Sequence, residues 1–157
     1  MRISPLLAAI GAAVLLALPT SAATAGEAKL VTKPSAHSVS KTLDRLSGML
    51  KSKGITIFAR VDHAAGAKKA GLELPPTELL IFGNPKLGTP LMQSNRAIGA
   101  DLPMKALAWE DKDGKVYLSY TAPAALKARY AIGDKDKVFQ TMTGALGKFT
   151  DAATKAE

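Results

Sequence analysis

Four successive apolar residues, Leu79-Leu80-Ile81-Phe82, run directly into Gly83-Asn84-Pro85. Neighbouring side chains on a strand point to opposite faces, so a run apolar at every position reads as a strand inside a sheet. Glycine, asparagine and proline then turn the chain out of the ladder, because proline cannot donate to it. Such a strand needs partners on both edges, and this requirement limits the chain to folds built around a sheet.

The flanking sequence offers those partners. Ile55, Ile57, Ala59 and Val61 alternate with Thr56, Phe58, Arg60 and Asp62, the period-two pattern of a half-buried strand that ends at Asp62-His63. Residues 64–70 read as a two-turn helix closed by Gly71, and Pro75-Pro76 breaks the chain before the apolar run. Residues 104–110 and 115–120 are β-patterned around Asp111-Lys112-Asp113-Gly114, a hairpin turn. Residues 28–32 can form a first strand, which Pro34 interrupts.

Helical spacing appears twice at length. Ser38 is placed to cap a helix carrying Val39, Leu43, Leu46 and Leu50 on one side, which Gly54 ends. Near the C-terminus, Asp134 or Asp136 caps a helix with Val138, Met142, Ala145 and Phe149 on one stripe, widened by Phe139 and Leu146. Shorter helical pieces follow Thr89-Pro90, over 91–97 to Gly99 with Leu91 and Ile98 facing the core, and Pro123, through Tyr130. The order is strand, helix, four strands, helix. This predicts an α+β domain in which an antiparallel sheet is covered on one face by two main helices, β-α-β4-α with short helical inserts.

The first 25 residues read differently. Arg2, the apolar run 6–18 and Ala23-Thr24-Ala25 before Gly26 have the pattern of a cleavable export signal, cut after Ala25. The apolar run is shorter than the ~20 residues of a spanning helix, so no stable membrane anchor is expected after cleavage. The expected location is periplasmic or secreted. Residues 26–37 form a lead, 38–150 a single domain and 151–157 a tail. The chain has no cysteine, so neither a disulfide nor a thiol nucleophile is available. Its formal net charge is +8, with lysines spread along the chain, which suits solubility; export argues against a nucleic-acid partner.

Several of these signals occur together in a known family. Val61-Asp62-His63, the spaced alanines to Gly71-Leu72, Phe82-Gly83-Asn84-Pro85, Gly88-Thr89, Leu91-Met92, Asp101-Leu102-Pro103, Trp109, Asp113-Gly114, Tyr120 and Pro123 stand in its order. Across about residues 38–149 the chain resembles the family catalogued as domain of unknown function 302. The resemblance implies a fold of the TATA-binding-protein-like type and a homodimer. It implies no activity, and likeness of fold to a DNA binder is not evidence of DNA binding.

The residues themselves leave three readings of function. Asp62 and His63, the Asn84 turn, Lys86 and the helix start at Thr89 form the candidate site for a small ligand, on the expectation that the two strand-ending turns meet at one edge of the sheet. A carboxylate beside an imidazole can orient it as a base or metal ligand, but adjacent strand residues point apart, and a strand-end histidine bonded to a loop is the plainer alternative. His63 and Met92 are the only candidates for a soft metal site, with no paired ligand spacing to support them. The 83–90 turn could hold an anion or be simply a turn and a helix cap. It lacks the Gly-Lys-Ser/Thr ending of a phosphate loop, and the 111–114 turn lacks the downstream glutamate of a calcium loop. No serine sits in a nucleophile elbow. The leading expectation is therefore a non-catalytic binding or accessory domain without a cofactor. An enzyme or metal accessory using His63, and a purely structural dimerising domain, are the alternatives.

Overall fold

The computed structural model describes residues 30–156, so the export signal read in 1–25 and the first part of the lead lie outside the described residues. The elements follow the expected order. They are β1 (Leu30–Ser35), α1 (Val39–Ser52), β2 (Thr56–Asp62), α2 (His63–Lys69), β3 (Thr77–Gly83), α3 (Pro85–Ser94), a 3-10 turn (Arg96–Ala100), β4 (Met104–Glu110), β5 (Val116–Thr121), α4 (Pro123–Arg129) and α5 (Asp136–Thr154). The five strands form one antiparallel sheet in the order β1-β5-β4-β3-β2, and α1 and α5 cover one of its faces.

The core follows from the apolar periods. Val39, Leu43, Leu46 and Leu50 of α1 are all buried, and they meet Leu80 and Phe82 of β3, Met104, Ala106 and Ala108 of β4, and Leu118 and Tyr120 of β5. Each fully buried leucine contributes about 1.5–3 kcal/mol relative to exposure. The small alanines of β4 let the helices lie close to the middle of the sheet. Ser38 caps α1 as expected, its hydroxyl accepting from the Lys41 amide. Asp111 holds the β4–β5 turn by accepting from the amides of Asp113 and Lys115, and Gly114 supplies the positive φ of 75° that the turn requires.

Five expectations change. The alternation in β2 is broken, because Ile57 pairs with Phe82 and Ala59 with Ile81, leaving Phe58 as an extra, bulged residue. The bulge reverses the faces beyond it. Ile57 and Arg60 share the helix-covered side, and Ala59 and Val61 the other. Arg60 thereby reaches Asp44 of α1 at 2.5 Å and Glu78 of β3 at 2.6 Å. Secondly, Pro34 does not interrupt β1, since β1 is an edge strand whose outer amides need no partner.

Thirdly, the cap of the helix after β3 lies five residues before Thr89, the expected cap. Asn84 and Pro85 form the same cap-then-proline signature, with Asn84 accepting from the Lys86 amide, and Pro90 is carried inside the helix. Leu91 and Ile98 are nevertheless buried as expected. Fourthly, neither Asp134 nor Asp136 caps α5; Lys135 occupies that position without a side-chain bond, and Asp136 lies in the first turn. Lastly, α5 continues to Thr154, so residues 151–154 are helix rather than tail. Thr150 and Thr154 are buried there because their hydroxyls donate to carbonyls one turn back, at 2.7 and 2.8 Å.

Leu79 and Ile81 qualify the reading of the apolar run. β3 is indeed an interior strand, but its second face looks away from α1 and α5. That face also carries Leu107, Trp109, Tyr117, Ala59 and Val61, with Val61 38% exposed. Trp109 stacks on Tyr117 with ring centroids 4.9 Å apart and donates to Ser119.

Candidate functional site

The antiparallel pairing of β2 with β3 separates the two turns that were expected to meet. Thr56 opposes Gly83, whereas Asp62 opposes Glu78 at the far end of the hairpin. Six residues of strand put about 20 Å between those ends. In a hairpin of consecutive strands the end of the first lies beside the start of the second, so Asp62-His63 and Gly83-Asn84-Pro85 lie at opposite ends of the β2–β3 ladder, on the two opposite edges of the sheet where strands terminate.

At the first edge, Asp62 caps α2 by accepting from the Ala65 amide at 2.8 Å. Asp62 and His63 are both exposed, and among the described residues no hydrogen bond joins them. His63 and Met92 are likewise not brought together, because Met92 lies on α3 at the other edge.

That other edge contains a cavity of about 440 Å³, within the usual range for small-ligand sites. Its walls come from four separate parts of the chain. Leu50 lies in the last turn of α1 and Ile55 just before β2, and Phe58 of the bulge lines the same side. Phe82 and Gly83 end β3, and Asn84, Leu87, Thr89 and Met92 belong to the α3 segment. Leu102, Pro103 and Met104 form a third wall, and Met142, Ala145, Leu146 and Phe149 of α5 close the fourth. Of the expected site residues, Asn84, Thr89 and Met92 line the cavity; Lys86 lies on the same segment with its side chain exposed; Asp62 and His63 are absent.

The lining is chemically simple. None of its side chains titrates, and only Asn84 and Thr89 carry polar side-chain atoms. The Asn84 carbonyl oxygen is held by the Lys86 amide at 2.9 Å, which turns its amide nitrogen the other way. Among the described residues neither that nitrogen nor the Thr89 hydroxyl has a hydrogen-bond partner. Such a surface suits apolar matter better than water, and its side chains offer no acid, base or nucleophile pair.

The wall at Leu102-Pro103 is fixed from outside. Asp101 accepts from Arg129 at 2.5 Å and from the Tyr130 hydroxyl at 2.7 Å, tying the end of the 3-10 turn to the end of α4. Burial of Asp101 disfavours its charge, but the hydrogen bonds from Tyr130 and Arg129 together with the Arg129 charge outweigh it and hold the carboxyl below its ordinary value. The Tyr130 hydroxyl is pushed up, first by its bond to Asp101 and then by burial.

A second, shallower depression of about 490 Å³ is polar, with His37, Glu110, Lys115 and Tyr117 at its sides. Its histidine is engaged, the ring nitrogen Nε2 lying 2.9 Å from the Lys155 carbonyl.

Sequence reasoning missed Leu87, Leu102, Ala145 and Phe149 as site residues. A signal existed in α5, where buried side chains are centred on Phe139, Met142 and Leu146, leaving Ala145 and Phe149 as an apolar flank wider than the core contact needs.

Fold and cavity together define an α+β domain with an apolar pocket at one end of a helix-covered sheet. The family model described as "Domain of unknown function DUF302" matches residues 31–149, and the chain belongs to this family. A solved structure, "Crystal structure of uncharacterized conserved protein DUF302 from Bacillus stearothermophilus", superposes with a TM-score of 0.72 at 18% identity, covering 80% of this chain and 98% of that one. At that identity it supports the fold alone. Among curated proteins, "Fluoride-specific ion channel FluC 1" of Brucella suis biovar 1 (strain 1330) is 53% identical over 125 residues, 79% of this chain and 49% of that protein. "Fluoride-specific ion channel FluC 2" of Brucella melitensis biotype 1 matches equally, over 46% of its length. The chain spans about half the length of these relatives. Among the described residues no helix is long and apolar enough to cross a membrane.

Proposed function

We propose that this domain is a non-catalytic binding module whose ligand is a small apolar molecule held in the cavity between α3, α5 and the Gly83 end of the β2–β3 ladder. The supporting observation is the lining, in which every side chain except Asn84 and Thr89 is apolar and none titrates. Burial of ligand surface at about 25 cal/mol per Å² supplies the affinity, and the two polar groups supply orientation. The name of the Brucella relatives describes proteins of which the matched region is about half, and the cavity rather than that name supports the reading.

The test is a thermal-shift screen of apolar small molecules against the wild type and Ala145→Phe. Ala145 faces the cavity, so the added ring occupies the space of a ligand. Ligands that stabilise the wild type are expected to lose their effect on the variant; equal stabilisation of both would place binding elsewhere. Ala145→Leu serves as the milder substitution if the phenyl ring overpacks the wall.

A further inference from the structure

The segments that wall the cavity carry charge of one sign. Lys51 follows Leu50, Lys53 lies two residues before Ile55, Lys86 stands between Pro85 and Leu87, and Lys148 precedes Phe149. Residues 50–58, 82–92 and 142–149 contain no aspartate or glutamate. All four lysines are exposed, and none forms an ion pair among the described residues. The acidic groups close in sequence are already engaged, Asp101 by Arg129 and Asp151 by Lys33. Lysines that look evenly scattered along the chain therefore flank, in sequence, the segments that form three of the four walls of one apolar cavity.

On the reading of the cavity as a ligand site, we infer that its occupant is a single-chain anionic amphiphile, with its aliphatic tail inside and its carboxylate-like head at the opening. The tail matches a lining without titratable groups. The head meets the free Asn84 amide nitrogen and Thr89 hydroxyl, which are hydrogen-bond donors to an anion, within the positive field of the four lysines. An amphiphile with a neutral head would use the cavity equally well but would leave this one-sided charge without a counterpart. A cationic head would be repelled by it.

The experiment measures dissociation constants for decanoate, decanol and decyltrimethylammonium, each kept below its micelle concentration or, for decanol, its solubility, on the full chain, on Ala145→Phe and on the quadruple variant Lys51→Gln, Lys53→Gln, Lys86→Gln, Lys148→Gln. Decanoate is expected to bind about tenfold more tightly than decanol, in keeping with charge-assisted hydrogen bonds and partly screened ion pairs. That advantage should shrink in the lysine variant and at high salt, and binding should fail in Ala145→Phe. Equal affinity for all three heads, lost in Ala145→Phe, would overturn the anionic assignment while leaving the cavity reading intact. Failure of all three to bind would overturn both. Decanoate binding that survives Ala145→Phe, or adsorption to anionic phospholipid vesicles that survives it, would assign the lysines to surface attraction and overturn the inference.

Discussion

The backbone of Gly83 lies so close to Pro103 that a methyl group on its Cα would meet the proline Cβ at 3.3 Å and the Phe58 ring at 3.4 Å. This contact joins three walls of the cavity at the end of β3. Gly83→Ala forces small displacements there, for which about 1 kcal/mol of stability is expected to be lost. Ligand affinity should fall more than stability, because the displaced groups face the cavity. Chemical denaturation and titration of the same variant measure the two effects separately.

Asp101 is expected to make the domain sensitive to acid. Its folded-state carboxyl lies below the ordinary value, so its contribution to stability is complete above the unfolded aspartate value of about 4 and disappears as pH falls through the folded value. Asp101→Asn keeps the shape and removes the charge. The variant is expected to be less stable than wild type at pH 7, with the difference closing in acid, as read from urea midpoints between neutral pH and pH 3. A constant difference across that range would assign the loss to something other than the titration.

Asp62 and His63 lie at the edge of the sheet away from the cavity. Asp62→Ala removes the cap of α2 and should cost about 1 kcal/mol. His63→Ala should change stability by less than about 0.5 kcal/mol, as for other exposed positions. Neither should alter ligand binding in the cavity. A lost thermal shift in His63→Ala, with folding intact, would return the site to the first edge.

The homodimer implied by family resemblance is proposed to use the sheet face that α1 and α5 leave uncovered, where Val61, Leu79, Ile81 and Leu107 form an apolar surface beside the Trp109–Tyr117 stack. Val61→Lys places a charge in that surface at an exposed position. Sedimentation equilibrium should give a weaker dimer for the variant than for wild type. A monomeric wild type would remove the proposal.

Much of the architecture was legible because local period is a property of short stretches. Leu43, Leu46 and Leu50 announce a buried helix face, and Asp111 to Gly114 a hairpin, through neighbours a few residues away. The Phe58 bulge was not legible, since a single unpaired residue leaves no mark on composition and is set by the pairing of Ile57 and Ala59 with β3. The start of α3 was legible but misread, as Asn84-Pro85 and Thr89-Pro90 carry the same cap signal and only packing chooses between them.

By itself, then, the sequence determined the order and kind of the elements, the buried stripes of α1 and α5, and the turn at Gly83-Asn84-Pro85, all through interactions between near neighbours. The tertiary structure decided which turn has a cavity behind it. Antiparallel pairing sent Asp62 to one edge and Asn84 to the other, and the packing of α5 beside α1 and α3 brought Ala145 and Phe149 to the same cavity as Leu102 and Phe58. Contacts between residues so far apart in the chain depend on how whole elements pack, and no local pattern of side chains encodes them.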